Sequence, residues 1–189
     1  PKTMRLHLLL LIYLLPAMTL AEDIVIFDFQ KEPEKGEWQI VNDGVMGGLS
    51  ESRFVIKEGN GHFSGTVSLE NNGGFASMRC QPKHLALDGC DRIILRIRGD
   101  GRRYKFTIRT DKDSDGVNYQ LSFTTQKNHW ELIELPLNEF TPTWRGKILS
   151  NRPKLLSSSI VSLGFLISDK QAGSFDLSID WIKGRKAGQ

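Results

Sequence analysis

Short runs in which apolar and polar side chains alternate fill most of the chain. Ile93, Leu95 and Ile97 face one way; Arg92, Ile94, Arg96 and Arg98 face the other. Tyr104, Phe106 and Ile108 oppose Lys105, Thr107 and Arg109, and Tyr119, Leu121 and Phe123 oppose Gln120, Ser122 and Thr124. A period of two marks a strand with one buried face. Ile24 to Phe29, Arg53 to Lys57, Phe63 to Leu69, Phe75 to Cys80 and Trp130 to Leu135 read the same way. Val161, Leu163, Phe165 and Ile167 supply a late strand, and Phe175, Leu177, Ile179 and Trp181 the last one, followed by a basic tail, Lys183 to Lys186. Turn-forming residues separate the runs: Glu58-Gly59-Asn60-Gly61, Asn71-Asn72-Gly73-Gly74, Gly99-Asp100-Gly101 and residues 111–116. No stretch holds a helical period over three turns. About ten or eleven short strands with regular turn signals predict an all-β fold, an antiparallel β-sandwich or jelly roll. Neither an internal repeat nor a second domain is visible, so residues 22–189 are expected to form a single domain.

The pattern breaks most sharply between Trp38 and Ser50. Trp38, Ile40 and Val41 begin a strand that stops at Asn42-Asp43-Gly44, and Met46 lies between Gly44 and the pair Gly47-Gly48. Glycines at this density mark backbone that needs positive φ or a close approach. The corner is either a tight link between strands with Met46 plugging the core, or a surface on which Asn42, Asp43 and Met46 meet a ligand. Residues 138–158 form the other aperiodic stretch, with Phe140, Pro142, Trp144, Arg145 and Pro153; such a loop is expected to be functional or to wrap the domain.

The first 21 residues have the layout of a secretory signal. Lys2 and Arg5 precede an apolar run from Leu6 to Leu15, then Pro16, and Thr19-Leu20-Ala21 resembles a cleavage site. Export to the periplasm or outside the cell is expected, the alternatives being a mitochondrial location or an uncleaved anchor. The apolar run is short for a membrane span, and no other stretch is a candidate. Without Lys2 and Arg5, 23 basic side chains face 22 acidic ones, a balance that gives no support for nucleic-acid binding.

Several groups of residues are candidates for chemistry. Arg96, Arg98, Lys105, Arg109, Gln120, Ser122 and Thr124 fall on the polar side of three consecutive strands. If these pair, one sheet face gathers guanidinium and amide groups able to bind sugars or acidic groups; otherwise it is a solvated face. Asp111, Asp113, Asp115 and Gly116 open like a calcium loop. However, the twelfth position is Ser122 rather than Glu, and the residues after Gly116 read as strand, which favours an acidic hairpin turn over calcium. Cys80 and Cys90, the only cysteines, either close a disulfide or pack as two buried thiols. Trp38, Trp130 and Trp181 are expected in the core, and Trp144 beside Arg145 is a candidate stacking or docking residue. His62, His84 and His129 lack metal-ligand spacing, and no nucleophile elbow or phosphate loop is present. No catalytic residue and no cofactor other than the calcium alternative emerge.

The stretch Trp38-Gln-Ile-Val-Asn-Asp-Gly-Val-Met-Gly-Gly-Leu-Ser50 resembles the opening signature of the complex I intermediate-associated protein 30 family. The similarity continues through Phe63 to Arg79, Tyr104 to Asp111, Gly116 to Gln120, Trp130, Leu135-Pro136, Phe140, Pro142, Trp144 to Gly146, Gly164 to Gln171 and Phe175 to Ile182. The resemblance implies a galactose-binding-like β-sandwich and a non-catalytic role, mitochondrial members being assembly factors for respiratory NADH dehydrogenase. It implies protein partners, among them respiratory-complex subunits. Relatives of the fold include carbohydrate-binding modules, which makes a glycan the alternative ligand.

Overall fold

The computed structural model describes residues 22–31, 37–113 and 116–187. Residues 1–21, on which the export signal was expected, and Asp115 of the candidate calcium loop lie outside them. Among the described residues thirteen strands follow in order: β1 (Asp23–Asp28), β2 (Trp38–Ile40), β3 (Glu51–Lys57), β4 (Asn60–Val67), β5 (Ala76–Cys80), β6 (Cys90–Arg98), β7 (Arg103–Arg109), β8 (Asn118–Thr124), β9 (Trp130–Pro136), β10 (Thr141–Trp144), β11 (Lys147–Ile148), β12 (Ser162–Ile167) and β13 (Gly173–Lys186).

They form two antiparallel sheets. The first has the order β3-β4-β13-β6-β9, with β1 also on β13; the second is β11-β10-β8-β7-β12-β5-β2. Period-two alternation places one set of side chains from each sheet between the two. Phe63, Leu95, Ile97, Leu177 and Ile179 of the first sheet and Met78, Tyr104, Phe106, Ile108 and Phe165 of the second are fully buried there. Each such side chain contributes roughly 1.5–3 kcal/mol by leaving water. Trp38 of β2 closes one side of the core, with Phe27, Phe29 and Phe54 around it at 4.8–5.9 Å between ring centroids.

β13 organises the first sheet. Its first half pairs with β4, its second half with β1, and β6 runs along the opposite edge. The register shifts between Ile179 and Trp181, so one extra residue is accommodated there. Such a bulge reverses the alternation. Ile179 and Ile182 both point inward, while Trp181 turns to the outer face, where the Lys183 ammonium lies 4.3 Å from its ring. Trp181 is therefore not a core residue. The expected basic tail is also part of β13: Arg185 pairs with Asp23 and Glu134, and Lys186 with Glu22.

The link Gly99-Asp100-Gly101 reads as a hairpin turn but carries the chain from one sheet to the other, since β6 belongs to the first and β7 to the second. Asp100 makes the crossing rigid by accepting hydrogen bonds from the Tyr104 hydroxyl, the Arg102 N–H and the Asp176 N–H at 3.0–3.1 Å. Gly99 is required because a Cβ there would overlap the Thr125 side chain.

Residues 138–158 are more regular than expected. β10 and β11 form a hairpin, Thr143 opposite Ile148 and Trp144 opposite Lys147, and β10 extends the second sheet beyond β8. Its two turn residues, Arg145 (φ 46°) and Gly146 (φ 77°), are both left-handed, as a type I′ turn requires.

Cys80 and Cys90 are free, buried thiols and not a disulfide. Cys80 lies in β5 of the second sheet, and its sulfur accepts the Leu163 N–H at 3.2 Å. Cys90 opens β6 of the first sheet and packs over Gly184, where a Cβ would come within 2.9 Å of the sulfur. Burial pushes both thiols above the ordinary cysteine pKa.

Candidate functional site

The outer face of the first sheet gathers the most varied chemistry. One row crosses five of its six strands: Val55, His62, Ser178, Arg98 and Trp130 are successive cross-strand partners. The His62 Nδ1 and the Ser178 hydroxyl are 3.2 Å apart, and the other ring nitrogen reaches the Lys57 carbonyl at 3.3 Å. A carbonyl only accepts, so Nε2 is the donor to Lys57.

Beside this row lies an open depression of about 420 Å³ lined by Gln30, Glu58, Gly59, Asn60, Arg96, Trp130 and Asp180. The bulge on β13 sets Asp180 at its floor, 4% exposed and ion-paired with Arg96. The Arg96 and Arg98 guanidinium carbons each lie 5.2 Å from the Trp130 ring centroid. An aromatic ring, two amides, one guanidinium group and two carboxylates thus converge on one hollow, a mixture that suits hydroxyl-rich ligands. A second depression, about 510 Å³, opens further along β3, β4 and β13, lined by Glu51, Arg53, Ser64, Thr66 and Asp176 among others.

The polar cluster expected on three consecutive strands is split between the two sheets. Arg96 and Arg98 belong to the first sheet, Arg109 and Gln120 to the second, because the link after β6 changes sheets. Gln120 joins a different row, Gln39, Arg79, Gly164, Thr107, Gln120 and Thr141, across the second sheet. Arg109 turns into the loop after β7, where one guanidinium nitrogen donates to the Gly116 carbonyl at 3.1 Å and to that of Asp113 at 3.4 Å. In the same loop the Asp111 carboxylate accepts the Asp113 N–H at 3.1 Å. A cation of the chain therefore already sits on backbone carbonyls within the candidate calcium loop. Among the described residues no three His, Cys, Asp or Glu are grouped to hold a metal ion. Trp144 and Arg145 sit at the tip of the β10–β11 hairpin, the guanidinium 4.8 Å from the ring centroid.

Trp130, expected in the core, stands instead on the outer face and supplies the depression with its aromatic surface. Gln30, Glu58, Asn60 and Asp180 are lining residues that the sequence did not single out. The alternation in β9 fits either phase, and only the pairing of Arg98 with Trp130 fixes which face the ring occupies.

The glycine-rich corner divides into an internal half and an external half. Asp43 is fully buried. Its carboxylate accepts hydrogen bonds from the Ser50 N–H (2.9 Å), the Ser50 hydroxyl (2.5 Å), the Gly74 N–H (2.6 Å) and the Phe75 N–H (3.1 Å). Asn42 Oδ1 accepts from the Ser52 hydroxyl and the Ser77 N–H. Both side chains are engaged inside the protein rather than presented to a ligand. Burial alone would raise the pKa of Asp43, but the hydrogen bonds from Ser50, Gly74 and Phe75 outweigh it and hold the carboxyl below its ordinary value. Met46 does not plug the core: it is 63% exposed, on a short 3-10 turn closed by Gly47 at φ 87°.

Among the described residues no helix is long and apolar enough to cross a membrane.

Comparison with known proteins gives a consistent result. The chain is 27% identical over 179 residues to Complex I intermediate-associated protein 30, mitochondrial, of Mus musculus, covering 84% of this chain and 55% of that protein. It is 22% identical over 197 residues to the protein of the same name from Neurospora crassa, covering 82% of this chain and 70% of that one. The chain thus spans a little over half the length of the mouse relative. Among solved structures, the family 11 carbohydrate-binding module of the Clostridium thermocellum cellulosomal cellulase Lic26A-Cel5E is similar, with a TM-score of 0.66 and 19% identity, covering 89% of this chain and 97% of that one. That likeness is one of fold, an antiparallel sandwich of the galactose-binding type. Residues 27–179 match the model of the family described as Complex I intermediate-associated protein 30, and the chain belongs to that family.

Proposed function

We propose that this chain is a non-enzymatic binding protein that takes part in assembling complex I through protein partners. The observation that carries this reading is the family match across residues 27–179, which includes both sheets and the Asp43 corner. The curated relatives named for complex I intermediates support it. Deletion of the gene, followed by native-gel separation of respiratory complexes, tests it. Loss of a complex I assembly intermediate, restored by the full chain, is the expected result; unchanged complex I would overturn it. Export directed by residues 1–21 is a separate proposal. A cell-derived protein beginning at Glu22 would support it, and a retained upstream segment would overturn it.

A second reading is that the chain binds a glycan on the outer face of the first sheet. The depression around Trp130, lined also by Gln30, Asn60, Arg96 and Asp180, favours it. Aromatic surface flanked by amides, guanidinium groups and carboxylates suits a sugar ring and its hydroxyls. The Clostridium neighbour is a carbohydrate-binding module. A glycan array tests this reading: signal that disappears in Trp130→Ala supports it, and a blank array overturns it.

A further inference from the structure

The corner between Asn42 and Ser50 exposes its large apolar side chains. Val45, Met46 and Leu49 are 75, 63 and 53% exposed, and Leu69 is 45% exposed. Four of the eleven large apolar side chains exposed among the described residues therefore lie on two short loops. Asp43 fastens these loops together. Its carbonyl accepts the Gly48 N–H at 3.1 Å, and its carboxylate ties Ser50 to Gly74 and Phe75. Ser50 adds a second tie: its hydroxyl oxygen accepts the Ser68 N–H at 3.0 Å. Scattered exposed apolar residues need no explanation, but a group of them on one fixed piece of backbone does. A surface that is already ordered loses little conformational entropy when a partner covers it, and Met46 adapts its shape to what it meets.

The charges beside this group define the partner. Glu51 follows Ser50 and Glu70 follows Leu69; both are exposed, and among the described residues neither carboxylate has an ion-pair partner. The next basic side chain on β3, Arg53, comes two residues beyond Glu51. An apolar tip beside unpaired acids repels an anionic bilayer surface and attracts an apolar segment bordered by cations. We infer that this corner docks a segment of a protein partner whose apolar side chains are flanked by Lys or Arg. The inference rests on the assembly-factor reading and names the surface that reading leaves open.

A photo-crosslinking residue in place of Met46, in the full chain expressed in its own cells, tests it. The control is the same residue in place of Leu156, which is 64% exposed elsewhere on the molecule. Crosslinks from position 46 are expected to map onto an apolar protein segment flanked by Lys or Arg. They should fall about tenfold in the Glu51→Lys/Glu70→Lys variant, at unchanged melting temperature. Crosslinks to lipid, to acid-flanked segments, or no stronger than from position 156 would overturn the inference. A basic-flanked segment from a protein unrelated to complex I would support the docking surface and sink the assembly reading. Loss of complex I on gene deletion without position-46 crosslinks would do the reverse.

Discussion

Ser50 is held twice by Asp43, through its backbone N–H at 2.9 Å and its hydroxyl at 2.5 Å, and the two residues are seven apart on either side of a glycine-rich turn. With Gly74 and Phe75 on the same carboxylate, one buried charge fixes the meeting point of three chain segments. Asp43→Asn keeps the shape but turns an amide toward N–H donors. It is expected to destabilise the fold by about 3 kcal/mol, since hydrogen bonds to a buried charge are each worth about 1.5–3 kcal/mol. The folded-state pKa is depressed, so this stabilisation is present above the ordinary carboxylate pKa and is lost as pH falls through the folded value. Denaturant melts across the acid range should show stability falling with pH in the wild type and a shallower fall in Asp43→Asn. Parallel slopes would contradict the assignment.

The glycines of the same corner are not equivalent. A Cβ on Gly48 would overlap the Asp43 carboxylate, and one on Gly73 would lie 2.7 Å from Asp43 Oδ2. Gly44 has nothing within 4 Å of that position and does not have a positive φ. Gly48→Ala is therefore expected to destabilise by about 1–3 kcal/mol through overpacking, and Gly44→Ala to stay within about 0.5 kcal/mol of wild type. Gly47 has free space but φ 87°, so Gly47→Val is disfavoured by backbone strain instead. Thermal melting of the three variants checks the order; a Gly44→Ala as unstable as Gly48→Ala would contradict it.

Much of this architecture is legible in the sequence, because period-two alternation, cleanest in β7 and β8, translates directly into one buried face. The all-strand class follows from that, and so does the Glu58-Gly59 hairpin, whose two residues have the expected positive φ. Three features are not legible, each for a physical reason. A bulge adds one residue without changing composition, so the reversal that turns Trp181 outward leaves no trace in the pattern. A Gly-Asp-Gly link serves a hairpin or a crossing between sheets equally well. The deciding contacts of Asp100 with Asp176 and of Gly99 with Thr125 are between residues far apart in sequence. The corner is conspicuous by its glycines, yet its division into a buried Asp43 and an exposed Met46 depends on Gly74 and Phe75, about thirty residues downstream. The candidate site was missed because the crossing between sheets separates Arg96 from Arg109 and because the alternation of β9 leaves the face of Trp130 open.

The two thiols offer a redox test. Cys80 and Cys90 lie in different sheets, are buried, and have pKa values raised by burial. The thiolate is the reactive form, so both should react slowly in the native protein. A colorimetric thiol reagent is expected to modify neither residue before unfolding and both after denaturant is added. Reducing agent should leave the melting temperature unchanged. A shift in melting temperature with reductant would reveal a linkage that this geometry does not contain.

Trp38 and Trp130, both partly buried, occupy different faces although both begin strands with similar patterns. Trp38 packs among Phe27, Phe29 and Phe54, where the two sheets meet. Trp130 stands on the outer face, its ring near Arg96 and Arg98, and Arg96 is also ion-paired with Asp180. Trp38→Ala removes aromatic packing from the interior and is expected to destabilise by about 3 kcal/mol. Trp130→Ala loses cation–π contacts at a solvated surface, worth about 1 kcal/mol. Denaturant melts of the two variants should therefore differ clearly in midpoint, with Trp38→Ala the lower. Fluorescence adds an independent check. A tryptophan on an open face is reached by a neutral quencher, so the quenchable fraction should fall in Trp130→Ala and persist in folded Trp38→Ala. If Trp130→Ala proved as unstable as Trp38→Ala, the ring would belong to the core, and the depression proposed for a glycan would lose its aromatic surface.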